Sequence, residues 1–243
     1  DHLAADSRRH GAVLHLGAAV AAIEETPTGV VARCRDGAAF AADAAVLAVP
    51  LPLLSEIALP PAARVRAARA VAEIGFGNVV KLLFRFMTPW WVTAVGHDLT
   101  DLSFVLSDAA VPTWWTQYPT GHPVLTGWYA GPKADRVSAL SEAELVEMGL
   151  AALAAIFARP AARLRQELVA ARAVNWGNDP FARGAYSYAT PATRAAQRAL
   201  SQGDGGAVLF AGEALHIGPD IGTVEAAFAI GRDTAQLVLR GAA

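Results

Sequence analysis

Three groups of residues in this chain have the types and spacing to do chemistry. The first is near the C-terminus: Leu209-Phe-Ala-Gly-Glu213, then Gly218-Pro-Asp-Ile-Gly222-Thr-Val-Glu-Ala-Ala-Phe-Ala-Ile-Gly231-Arg232. It reads as a buried strand, a Gly-Glu turn, a short loop and a long helix opening at Ile221 or Gly222. The first N–H groups of a helix lack partners inside it and carry the positive end of its dipole, so they suit an electron-rich, nucleotide-like ligand. The second is Lys81, within the otherwise apolar run 78–86. Such a lysine either snorkels to an edge or sits in a polar pocket where its charge is used; taken alone, snorkelling is the better reading. The third is a set of aromatics, Trp90-Trp91, Trp114-Trp115, Tyr118 and Trp128-Tyr129. Aromatic strips are usually core, and they also line apolar substrate pockets.

Other chemistries are excluded or disfavoured. The histidines His2, His10, His15, His97, His122 and His216 are scattered, and no pair has metal-ligand spacing with a carboxylate. His216, in the loop before the last helix, either lines a pocket or caps a loop, the second being the commoner role. A net charge of −2 leaves no basic footprint for nucleic acid. A lone cysteine, Cys34, forms no internal disulfide and is compatible with a reducing compartment, so a cytoplasmic location is expected. The most apolar stretch, residues 38–54, is interrupted by Asp43, Pro50 and Pro52, so no membrane span is expected.

The elements that must position these residues follow in order. Residues 13–16 and 20–23 read as strand with a break at Gly17, and Pro27 with Gly29 marks a turn. Asp36-Gly37 between apolar runs is a hairpin signal. Residues 43–49 form a continuous apolar run closed by Pro50, as in a strand covered on both faces of a parallel sheet. A short turn at 51–57 and a helix over 62–73 lead to Ile74-Gly-Phe-Gly77 and a strand over 78–86. Residues 104–106, 113–118 and 124–129 read as an antiparallel meander. A helix capped by Ser138 or Ser141 runs to about Phe157, with Glu142 and Glu144 in its first turn. A strand over 168–174, an aromatic loop over 175–188, a short helix from Pro191 and a glycine turn, Gly203-Asp-Gly-Gly206, complete the chain.

Three stretches together resemble the flavin-dependent amine oxidases: monoamine, polyamine and L-amino-acid oxidases and histone lysine demethylases. They are Asp43-Ala-Ala-Val-Leu-Ala-Val-Pro50 with Ile57-Ala-Leu-Pro-Pro61, Ile74-Gly-Phe-Gly77 and Lys81; then Trp176, Asp179-Pro-Phe and Gly184-Ala-Tyr-Ser187; then Phe210-Ala-Gly-Glu213 with Gly222-Thr-Val-Glu-Ala-Ala and Gly231-Arg232. The resemblance covers nearly the whole chain in the family's order. It implies an FAD cofactor whose ribitol or neighbouring diphosphate region would bond Glu213, beside Gly212. Gly222, Thr223 and the N–H of Val224 would meet the flavin ring, and helix-terminus electrostatics would stabilise negative charge there. Val20 would contact the adenine, and Pro50 and Trp176 would pack against the cofactor. Lys81 would hold a water against flavin N5, which reverses the snorkelling reading. Tyr186, and His216 if it reaches the pocket, would meet substrate. The implied chemistry is oxidation of an amine to an imine, with oxygen reduced to hydrogen peroxide. Amine substrate class stays open; Arg85, Arg183 and Arg194 are candidate carboxylate partners.

The departures carry information. Ala185 stands where monoamine oxidases place a flavin-linked cysteine, so FAD is expected to be non-covalent. Thr223 stands where they place a second aromatic. No Gly-x-Gly-x-x-Gly follows any strand, and the chain begins at Asp1 rather than Met. The chain is therefore expected to be the C-terminal part of a larger or two-chain oxidase, to bind FAD poorly alone, and to have the missing half as partner; a homodimer is left open. The expected fold is mixed α/β: an FAD-binding part over 1–73 and 186–243 with a parallel sheet, and a substrate domain over 74–185 with an antiparallel sheet and helix. The rival readings are a protoporphyrinogen-oxidase-like or desaturase-like flavoprotein on the same fold, and a non-catalytic binding subunit.

Overall fold

The chain divides into two compact units, residues 1–75 with 188–243, and residues 76–187. The computed structural model describes residues 2–94, 96–117, 122–201 and 206–241. Tyr118 and residues 203–205 of the glycine turn lie outside them.

The first unit opens with α1 (His2–Arg9), which buries none of its side chains. Strands β1 (Val20–Thr26), β2 (Gly29–Cys34) and β3 (Ala39–Ala42) form an antiparallel sheet in that order. The β2–β3 hairpin turns at Asp36-Gly37, where Gly37 has φ 91° and Asp36 Oδ1 accepts from the Ala38 N–H at 3.0 Å. The expected strand over 13–16 is absent. Val13 and Leu16 are exposed there, because β2 pairs only from Val20 onward, where Cys34 lies opposite.

β4 (Ala45–Leu47) pairs in parallel with β12 (Val208–Phe210), Leu209 opposite Val46. All three residues of β12 are buried. Beyond β4 come a 3₁₀ turn (Leu51–Ser55) and α2 (Pro61–Glu73), entered through Pro60-Pro61. Proline suits the first helical position because its missing N–H would be unpaired there anyway. α2 buries Ala63, Ala67 and Ala70 and packs on α6 (Thr193–Ser201), so the alanine bias here serves close helix approach. α6 starts two residues later than its proline suggested. The last helix, α7 (Val224–Leu239), opens at Val224 rather than at Ile221 or Gly222. Gly222 has φ 85°, outside the helical region, and Thr223 takes the cap position.

The second unit is an antiparallel sheet in the order β10-β6-β9-β8-β7, with β6 (Val79–Phe86), β7 (Phe104–Leu106), β8 (Thr113–Thr116), β9 (Val124–Ala130) and β10 (Leu168–Asn175). Short strands β5 (Gly75–Gly77) and β11 (Tyr186–Tyr188) pair with each other. Alternation splits the sheet into two faces. Val80, Leu82, Phe84, Phe86, Trp114 and Leu125 join one core with Leu145, Leu150 and Leu153 of α4 (Glu142–Ile156). The helices α3 (Pro132–Arg136) and α5 (Ala161–Glu167) flank α4 in sequence. Ser141 caps α4 in a full capping box: its hydroxyl accepts from the Glu144 N–H at 3.3 Å, and the Glu144 carboxylate accepts from the Ser141 N–H at 2.8 Å. Ser138, the other cap candidate, follows α3. Among the described residues no single helix is long and apolar enough to cross a membrane; α4 and α5 reach that length only jointly and bend by 117°.

Candidate functional site

In the first unit Pro50, Gly212 and Glu213, three of the expected cofactor residues, follow the carboxyl ends of the parallel strands. The Ala211 N–H donates to Leu47 O at 2.9 Å, so the chain leaving β12 toward Gly212 runs beside the chain leaving β4 toward Pro50. Ligands of open α/β sheets bind at such ends. Gly212 has φ 119°, ψ 166°, a conformation reserved for glycine, and a Cβ there would meet nothing within 4 Å. Glu213 then opens a 3₁₀ turn (Glu213–Leu215), and its Oε2 accepts from the Gly222 N–H at 2.9 Å. The carboxylate thus ties the following loop back onto the turn, close to the start of α7, where negative charge is favoured.

Thr223 uses its hydroxyl twice, accepting from the Ala226 N–H at 3.1 Å and donating to Asp220 O at 2.7 Å. That satisfies the third N–H of α7. The N–H groups of Val224 and Glu225 have no acceptor within the helix, and the Val224 residue is exposed. The site can therefore offer donors at a helix start beside an anchored carboxylate. Pro50 heads the turn after β4, its carbonyl accepting from the Leu53 N–H at 2.9 Å. Val20 begins β1 at a bulge, opposite Cys34.

His216 closes the 3₁₀ turn, donating its N–H to Glu213 O at 3.1 Å, and its ring lies so close to Gly218 that a Cβ there would come within 2.5 Å of Nε2. Its carbonyl and that of Ala214 both accept from the buried amide of Gln197, each at 2.8 Å. Gln197 holds the Gly-Glu turn from α6, and only its place on the apolar face of a short helix could have marked it in the sequence.

In the second unit Lys81 lies on the face opposite the core. It sits in β6 opposite Trp128 of β9 and Val174 of β10. Its Nζ is 5.5 Å from the centroid of the Trp115 ring, within cation–π range, an interaction worth about 1 kcal/mol at a partly exposed site. Trp115 packs against Phe104 at 6.3 Å and Trp128 at 6.2 Å, and Trp128 meets Tyr186 at 6.4 Å. Burial raises the Tyr186 phenol above its ordinary pKa. Lys81, Trp115, Trp128 and Tyr186 are thus one continuous surface. Trp114 belongs to the core, donating its indole N–H to Val111 O at 3.0 Å, while its neighbour Trp115 faces the other way. The aromatic strip signalled both roles; the strand period separates them.

Trp176 opens a 3₁₀ turn just after β10 and is 40% exposed; among the described residues its ring joins no aromatic pair. Its carbonyl accepts from the Gly184 N–H at 3.0 Å, which folds the loop toward Tyr186. Arg85 is exposed on β6, Arg194 exposed on α6, and Arg183 lines a separate polar cleft of about 200 Å³ with Phe76, Asn78, Asp135 and Ser138. Of the residues expected to meet cofactor or substrate, that cleft includes only the candidate carboxylate partner Arg183. Among the described residues no cluster of His, Cys, Asp and Glu could hold a metal ion.

The first unit thus holds a strand-turn-helix with an anchored Gly-Glu, and the second an aromatic sheet bearing a strand-interior lysine. The chain belongs to the flavin-containing amine oxidoreductases, whose family model matches residues 1–239. Among its relatives are the histone demethylase-like protein A of Aspergillus fumigatus, 28% identical over 86% of this chain and 20% of that protein, and the human peroxisomal N(1)-acetyl-spermine/spermidine oxidase, 28% identical over 75% of this chain and 40% of that protein. Polyamine oxidase 4 of Oryza sativa subsp. japonica is 28% identical over 73% of this chain and 35% of its own length. The fold matches that of putrescine oxidase bound to putrescine, with a TM-score of 0.76 at 21% identity, over 96% of this chain and 51% of that one. The chain thus spans about half of the solved structures, and at most 40% of these three curated relatives.

Proposed function

We propose that this chain forms the flavin-end and substrate-end part of an amine oxidase that holds FAD without a covalent link. The observation that carries the reading is Lys81 in the middle of a strand, with its ammonium on an aromatic surface that also includes Trp128 and Tyr186. A structural lysine gains from that position only the cation–π contact of about 1 kcal/mol. A lysine whose charge or hydrogen-bonding serves a reaction has a further use for it.

The first unit fits the flavin by its own geometry. Gly212 leaves space beside its Cα, and Glu213 is anchored by Gly222. The Val224 and Glu225 N–H groups would stabilise negative charge on an electron-rich ring edge. Ala185 offers no thiol for a covalent link. Bound flavin supplies a two-electron acceptor for the amine's α C–H bond, with imine and, after oxygen, hydrogen peroxide as products. The chain's own tasks are orientation, exclusion of water and holding a proton-carrying group at Lys81. The aromatic surface also favours the neutral amine, because desolvation disfavours an ammonium.

The test is Lys81→Met in the flavin-loaded enzyme. Stopped-flow reduction by amine and reoxidation by oxygen are measured separately, alongside urea unfolding. One half-reaction is expected to slow about a hundredfold with little loss of stability. Native rates in both half-reactions would refute the role of Lys81.

A further inference from the structure

We propose that Trp115 is a positioning residue for Lys81: its ring holds the ammonium in place at the aromatic surface of the second unit. The inference rests on the reading of Lys81 given above and assigns Trp115 a distinct part in it.

The sheet register sets up the contact. Lys81 lies opposite Trp128, while Trp115 lies opposite Thr126, so Trp115 is diagonal to Lys81, one strand further across. The lysine stem must therefore pass over β9 to bring Nζ within 5.5 Å of the Trp115 centroid. Val174 on the other side, in β10, is apolar and offers the ammonium nothing. Among the described residues no carboxylate pairs with Lys81, and the face of an indole is the group that meets its charge. A flexible four-carbon stem would otherwise sample many rotamers. The indole is itself held, by Phe104 and by Trp128, which stands perpendicular to it at 89°. Trp128 in turn contacts Tyr186, so the ring that places Lys81 is braced against the substrate wall. A change at Trp115 should act on the reaction through Lys81.

Lys81 and Lys133 are the chain's two lysines, and Lys133 is exposed in α3, which provides an internal reference. The experiment is carbon–proton correlation NMR of the chain labelled at the lysine Cε, in native, Trp115→Leu and Trp115→Phe forms. One ε-methylene pair is expected upfield of the other, through the indole ring current. The displacement should vanish in Trp115→Leu and survive in part in Trp115→Phe. In the flavin-loaded enzyme, Trp115→Leu should slow the Lys81-dependent half-reaction about fivefold, and should add nothing when Lys81 is already Met. Coincident lysine signals in the native chain overturn the proposal without any variant needing to fold. So does an upfield pair that persists in Trp115→Leu. Failure of the underlying reading looks different: the upfield pair follows Trp115, but Lys81→Met reacts at native rates, which removes the catalytic purpose of the contact.

Discussion

Thr223 shows how one hydroxyl orders the start of a helix. It caps α7 through the Ala226 N–H and grips Asp220 O, which fixes the direction of the Val224 and Glu225 N–H groups. Thr223→Ala should cost about 1 kcal/mol in urea unfolding and weaken flavin retention, whereas Thr223→Ser should keep both. Equal behaviour of the two variants would show that the methyl rather than the hydroxyl matters. Tyr186 allows a second check by pH. Burial raises its pKa above 10.0, so its neutral form is favoured in the folded state. The stabilisation is fully present below the unfolded tyrosine pKa and is lost as pH rises through the higher folded value. In alkaline difference spectra Tyr186→Phe should remove a phase ionising above the ordinary tyrosine range and flatten the fall in stability above about pH 10. An unchanged titration in the variant would contradict the assignment.

At the scale of elements, α4 and the sheet of the second unit meet through a glycine. A Cβ on Gly149 would lie 2.7 Å from Leu82 Cδ1 and 2.7 Å from Phe84 Cζ. Helix propensity alone predicts that Gly149→Ala stabilises by about 1 kcal/mol. Overpacking against two fully buried side chains predicts a loss of about 1–3 kcal/mol, and the second effect should win in a denaturant titration. A stabilised variant would mean that α4 can slide away from Leu82 and Phe84. Elements of this kind were partly legible in the sequence. Asp36-Gly37 announced its hairpin because turn chemistry acts locally; the run closed by Pro50 announced β4, but as a shorter strand, Ala45–Leu47, that is not covered on both faces, since Val46 is 45% exposed. The cap of α4 was legible to within two serines, Ser138 and Ser141, because capping too is local. The start of α7 was misplaced because an apolar period cannot show that Gly222 takes a positive φ. Residues 13–16 read as strand because they are apolar, although no partner strand reaches them. The roles of Trp115 and Gln197 depend on which face of a sheet or helix is covered, and only tertiary packing decides that.

At the scale of the molecule, the first unit holds donors at a helix start beside an anchored carboxylate, and the second an aromatic surface with a strand-interior lysine. The chain belongs to the flavin-containing amine oxidoreductases, and relatives ranging from a histone demethylase-like protein to polyamine oxidases leave both reaction and amine to experiment. The rival of a binding subunit without chemistry would keep the aromatic surface but have no use for the Gly212-Glu213 turn. The rival flavoproteins would keep the turn but are less closely matched by Ile74-Gly-Phe-Gly77 with Lys81 and by Gly184-Ala-Tyr-Ser187. The most direct measurement is the visible spectrum of the flavin-loaded enzyme mixed anaerobically with a panel of monoamines, polyamines and amino acids, followed by admission of oxygen. The account predicts that at least one amine bleaches the flavin, and that oxygen restores its colour with one hydrogen peroxide formed per amine consumed. A flavin that stays oxidised against every amine in the panel would contradict it.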